Sequence, residues 1–109
     1  MPHILIIDDN PAIGTALELL LSLDGYTASA VMSPEAGLAA LAAGNVDLVM
    51  QDMNFSRDTT SGEEGVRLFG EIRARHPDLP VILLTPWTPR DQAVGLVKAG
   101  AADYLGKSW

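Results

Sequence analysis

Two adjacent aspartates, Asp8 and Asp9, follow the apolar run Ile4-Leu5-Ile6-Ile7, and a third, Asp52, ends the run Leu48-Val49-Met50-Gln51. Set side by side as parallel strands, the two runs bring these carboxylates to one sheet end. Like charges that close must bind a cation or take up protons. Thr85 follows a third apolar run, Val81 to Leu84, and Lys107 comes shortly after the short strand-like stretch Ala102 to Leu105. An aspartate can attack phosphorus as a nucleophile, and a divalent cation can organise the phosphoryl oxygens. Mg²⁺ suits such a site because it takes oxygen ligands and keeps several waters. Lysine adds a fixed positive charge, and threonine a hydrogen bond to a phosphoryl oxygen. The set therefore points to phosphoryl transfer onto a carboxylate.

The elements that must position these residues alternate regularly. Residues 3 to 7 form a continuous stretch rich in β-branched isoleucine, as in a strand buried on both faces. Asn10-Pro11 supplies an N-cap with proline at the first helical position, and Ile13, Ala16, Leu17, Leu20 and Leu21 form an apolar stripe, with Leu20 expected in the core. Tyr26 to Val31 reads as a second strand. Ser33-Pro34 opens a helix with Leu38 and Leu41 on its buried side, and residues 47 to 51 form the third strand. Ser61 and Glu64 make a capping-box pair for a third helix, with Val66, Phe69 and Ile72 facing inward until His76-Pro77 stops it. Residues 81 to 84 give the fourth strand, 88 to 98 a helix and 102 to 105 a fifth strand. This (βα)4β order predicts a parallel sheet with helices on both faces. In such sheets ligands bind beyond the carboxyl ends of the strands, where Asp8, Asp9, Asp52, Thr85 and Lys107 fall. Asp24, Asp47, Asp78 and Asp103 fall at helix ends or strand starts, where turns and solvation account for them.

Length and composition narrow the function classes. The 109 residues suffice for one domain, and 48% apolar content argues against disorder. The chain has no cysteine, which removes disulfides, thiolate zinc sites and cysteine catalysis; the only histidines, His3 and His76, fall near opposite ends of the elements they flank, so a histidine-based triad or metal site is not expected. A net charge of -7 would be repelled by a phosphate backbone, so no direct nucleic acid binding is expected of this domain. No apolar run suggests a signal peptide or membrane span, so the expected location is the cytoplasm.

With these residues in place, the chain resembles the receiver domains of two-component response regulators. Asp8-Asp9, Asp52, Thr85 and Lys107 match that family's acidic pair, phosphoacceptor, hydroxyl residue and lysine, and Tyr104 matches its aromatic switch position. The resemblance covers the whole chain and implies a three-layer, doubly wound, flavodoxin-like fold with a five-stranded parallel sheet in the order 2-1-3-4-5. The family's final covering helix would be missing from this chain. It further implies Mg²⁺, with Mn²⁺ as a substitute, held by Asp9, Asp52 and the backbone carbonyl of Asn54, with Asp8 helping directly or through water. The implied partners are a histidine kinase, whose phosphohistidine donates to Asp52, and an effector or output domain, with homodimerisation as one form of output. Thr85 and Tyr104 would carry the switch, although a tyrosine also suits simple packing in a half-buried strand.

The chain departs from the family pattern in places. The stretch 53 to 61 is several residues longer than usual and has no proline, which resembles receivers of sigma-54-dependent transcription activators. Pro86 stands where a backbone N–H normally helps hold the phosphoryl group, and proline has none. Donors from Arg57, Thr59, Thr60 or the start of the 88 to 98 helix could replace it. Ser108 replaces the proline whose cis bond orients the lysine. Two other classes compete with a phosphorylated switch. One is a pseudo-receiver that keeps the fold as an interaction module; the other is a phosphatase with an aspartyl-phosphate intermediate, for which 109 residues leave little material to build a substrate pocket.

Overall fold

The computed structural model describes residues 2–52, 63–85 and 103–106, with side chains for 2–52 and 65–84. In chain order these residues form β1 (His3–Ile7), α1 (Pro11–Leu23), β2 (Thr27–Val31), α2 (Pro34–Ala43), β3 (Leu48–Asp52), α3 (Glu63–Arg75), β4 (Val81–Thr85) and β5 (Asp103–Gly106). All neighbouring strands pair in parallel, and the sheet order is β2-β1-β3-β4-β5, the order the resemblance implied. The helix predicted over 88–98 and the Ser61 half of the predicted capping box lie outside the described residues.

Alternation along the central strands divides the core into two layers. Leu5, Ile7, Val49 and Leu83 pack with Leu41 of α2 and with Leu68, Phe69 and Ile72 of α3. Ile4, Ile6, Met50 and Leu84 pack with Leu17 of α1 on the opposite face. Strands buried on both sides are why these runs read as continuously apolar rather than alternating. β2 lies at the sheet edge and is mostly exposed.

The predicted caps form. Asn10 Oδ1 accepts from the Ala12 N–H at 3.0 Å, and Ser33 Oγ accepts from the Ala36 N–H at 3.1 Å. Each is followed by proline at the start of its helix. α3 ends at Arg75, as His76-Pro77 predicted. In its last turn Arg73 lies over the Phe69 ring, 5.7 Å from the centroid, and donates from Nη1 to the Pro77 carbonyl at 2.8 Å. A cation there also complements the helix dipole.

One core assignment needs correction. Leu20 is 55% exposed, whereas Leu17 is 7% exposed. The stripe of α1 that meets the sheet centres on Gly14, Leu17 and Leu21, with Gly14 set against Ala30 of β2. At roughly 100° per residue, Leu20 sits about 60° round the helix from Leu17 and about 100° from Leu21. That places it on the stripe's margin, where no described element covers it.

At the amino end of the sheet Asp47 is structural, as read. The His3 N–H donates to Asp47 Oδ2 at 2.8 Å, and the Asp47 N–H returns a bond to the His3 carbonyl at 2.8 Å. The His3 ring is held by Thr27 Oγ1 at 2.8 Å and Ser29 Oγ at 2.9 Å. These bonds fix the starts of β1, β2 and β3 relative to one another, and so the level at which the strands end.

Candidate functional site

Register brings the acidic residues together. Ile7 pairs with Gln51, and Asp52 pairs with Leu84, so Asp8 follows β1 at the level of Asp52. The Asp8 N–H donates to the Val31 carbonyl at 3.1 Å, carrying the ladder between β1 and β2 one residue beyond the strand. The Asn10 N–H donates to Asp8 Oδ1 at 2.9 Å, and Asn10 caps α1 with its own side chain. The turn that starts the first helix thus also holds the first carboxylate.

Asp8 is 2% exposed, Asp52 is fully buried as the last residue of β3, and Asp9 is half-buried. One carboxylate oxygen from each lies within 4.8 Å of the others. Oxygens bound to one Mg²⁺ at ~2.0–2.1 Å are separated by about 2.9 Å when adjacent and about 4.2 Å when opposite. The 4.8 Å spread of the three oxygens lies close to that range. The donors are all hard anionic oxygens, with no imidazole or thiolate among them, which favours Mg²⁺ or Mn²⁺ over zinc. Three carboxylates leave octahedral positions for water and for phosphoryl oxygens, so the residues present fit the ion.

The other expected residues are located by backbone or lie outside the described region. Thr85 ends β4 in register with Gly106, the residue before Lys107, and Tyr104 pairs in register with Leu83. The rows from Asp8 through Asp52 to Thr85 and Gly106 all finish at one sheet edge. Asn54, Lys107, Pro86, Ser108 and the stretch 53 to 61 lie outside the described residues.

One polar residue at this edge was not picked out from sequence. Gln51 is fully buried and donates from Nε2 to the Gly65 carbonyl of α3 at 2.6 Å. Its place inside an otherwise apolar run was the available signal: an amide at a position buried on both faces needs a hydrogen-bonding reason to be there.

Comparison with known proteins gives this arrangement a family. Response regulator receiver domains match residues 4–109. The chain is 41% identical over 104 residues to the response regulator protein FleR of Pseudomonas aeruginosa, covering 95% of this chain and 21% of that protein. It is 35% identical over 102 residues to the DNA-binding transcriptional regulator NtrC of Salmonella typhimurium, covering 94% of this chain and 21% of that protein. Among solved structures, response regulator TrrA of Thermotoga maritima in complex with Mg²⁺-BeF superposes with a TM-score of 0.83 at 31% identity, covering 100% of this chain and 89% of that one. The N-terminal receiver domain of a response regulator from Bacteroides fragilis gives a TM-score of 0.86 at 34% identity, covering 100% and 86%.

The chain belongs to the response regulator receiver domain family. Its fold is the flavodoxin-like α/β fold of that family. It spans about a fifth of the length of the curated relatives it matches.

Proposed function

We propose that residues 1–109 act as the phosphoacceptor domain of a two-component system, with Asp52 as nucleophile. The observation that carries this reading is the cluster of Asp8, Asp9 and Asp52, two of them buried, within 4.8 Å at the carboxyl end of the sheet. An oxygen of Asp52 forms the new O–P bond as the N–P bond of a histidine kinase's phosphohistidine breaks. The leaving imidazole regains its lone pair and takes up a proton. Asp9, Asp52 and the backbone carbonyl of Asn54 would hold Mg²⁺, with Asp8 directly or through water, and the ion when bound would supply positive charge against the phosphoryl oxygens. Lys107 supplies a fixed positive charge at the acyl phosphate, and Thr85 a hydrogen bond.

Phosphorylation changes local charge and shifts a two-state equilibrium, with Thr85 and Tyr104 as the moving parts. The output passes to an attached or partner effector, with homodimerisation as one route. NtrC of Salmonella typhimurium is a DNA-binding transcriptional regulator about five times longer than the matched region. That supports transcription regulation, and the long 53 to 61 stretch supports the sigma-54-dependent class. A charge of -7 leaves DNA contact to another domain. Among the described residues no helix is long and apolar enough to cross a membrane.

Incubation with Mg²⁺ and acetyl phosphate, followed by intact-mass analysis, tests the reading. One added phosphoryl group, absent in Asp52→Ala, is the expected result. No uptake by the native chain would instead favour an unphosphorylated pseudo-receiver, the alternative that Pro86 and Ser108 keep open. Turnover of many phosphomonoesters would point to a phosphatase.

A further inference from the structure

Gln51 occupies a position where an aliphatic side chain would serve the core equally well. It is fully buried, and its register partners Ile7 and Leu83 are fully buried too. Two residues before it Val49 lies in the layer under α2 and α3, so Gln51 points to that same layer. There Nε2 donates to the Gly65 carbonyl at 2.6 Å and reaches the Asp52 carbonyl at 3.4 Å. Gly65 lies in the first turn of α3. A carbonyl has two lone pairs, so Gly65 can accept this bond as well as one within the helix. A single buried amide thus touches the peptide of the proposed nucleophile and the start of the helix that follows it.

Resting on the phosphoacceptor reading of Asp52, we propose that Gln51 is a positioning residue that sets Asp52 relative to α3 and thereby holds it ready for the metal. Burying an amide is unfavourable unless it is hydrogen-bonded, and a short bond in a dry layer holds its partners more firmly than one in water. The relation between Asp52 and α3 is then fixed through the core, whatever course the chain takes between them.

Gln51→Met keeps the side-chain length and removes the donor. Calorimetric Mg²⁺ titration of the full protein should show a Kd raised roughly 3- to 10-fold, the worth of one net hydrogen bond. Phosphorylation by acetyl phosphate should slow at subsaturating Mg²⁺ and recover at saturation. Val49→Ala, a core truncation on the same strand, should lower the urea midpoint yet leave the Mg²⁺ Kd unchanged. An unchanged Kd in Gln51→Met, or an equal loss in Val49→Ala, would overturn the proposal. Should Gln51→Met not fold, exchange of the Gln51 side-chain amide protons in the native protein decides: slow exchange supports the bond, and exchange at the rate of a free glutamine refutes it. If the native protein binds Mg²⁺ but accepts no phosphoryl group, the phosphoacceptor reading fails, and the Mg²⁺ comparison still decides the role of Gln51. A native protein that binds no Mg²⁺ overturns both.

Discussion

Asn10 donates its backbone N–H to Asp8 Oδ1 at 2.9 Å, while its own side-chain oxygen caps α1 through the Ala12 N–H at 3.0 Å. One residue therefore serves both the site and the first helix, and the two roles separate by mutation. Asn10→Ala keeps the backbone donor and loses the cap. It should cost about 1 kcal/mol in urea unfolding, with Mg²⁺ affinity falling less than it does in Asp8→Ala. Equal losses of affinity in the two variants would show that the cap, rather than the backbone bond, orients Asp8.

Metal binding should appear as stability. A ligand that binds only the folded state at a hundred times its Kd adds about 2.7 kcal/mol. Urea unfolding with Mg²⁺ at that excess should show this gain, and EDTA should remove it. In Asp8→Asn the shape is retained and one anionic ligand is lost, so the gain at the same Mg²⁺ concentration should shrink. A gain of the same size in Asp8→Asn would take Asp8 out of the metal site.

Packing between α2 and β1 leaves no room at Gly37. A Cβ there would lie 2.5 Å from Ile7 Cδ1 and 3.0 Å from Ile7 Cγ1. Gly37→Ala should destabilise by about 1–3 kcal/mol through overpacking. Ile7→Val removes the Cδ1 atom, so in that background the same substitution should cost clearly less. A double-mutant cycle with no coupling would mean that α2 shifts away instead.

The margin of α1 offers a paired measurement. In the 109-residue chain, Leu17→Ala should cost about 2–5 kcal/mol, and Leu20→Ser less than about 0.5 kcal/mol. Repeating Leu20→Ser in a longer form of the protein would show whether further chain covers that position. A large cost in the 109-residue chain itself would contradict the exposure of Leu20.

Pro86 gives a prediction from its chemistry alone. Lacking an N–H, it withholds a charge-assisted hydrogen bond worth roughly 1.5–3 kcal/mol. Pro86→Ala should lengthen the lifetime of phospho-Asp52, measured by loss of the added mass over time. An unchanged lifetime would mean that other donors already hold the phosphoryl group.

Much of this molecule was legible because its signals are local. The runs at 4–7, 48–51 and 81–84 read as strands buried on both faces, and Asn10-Pro11 and Ser33-Pro34 fixed two helix starts within a residue. Given that order of elements, the carboxylates had to share a sheet end. What stayed hidden depended on contacts between elements distant in sequence. Leu20 fits an apolar stripe on a helical wheel, but the angle at which α1 meets β2 and β1 decides which part of the stripe is buried. Gln51 passed as one more residue of the run Leu48 to Gln51 because its partner, Gly65, lies across the core on another helix.

The pairing of Ile7 with Gln51 and of Asp52 with Leu84 has a consequence for how the site could be lost. A slip of one residue between β1 and β3 would part the acidic residues, but it would also turn Met50 and Gln51 into the wrong layers. Such a slip costs the fold as well as the chemistry. Alignment of the three acids therefore needs no safeguard beyond the requirement that the chain fold at all. A lineage could discard the proposed activity by replacing a side chain at the site, and a descendant altered in that way would keep the same architecture.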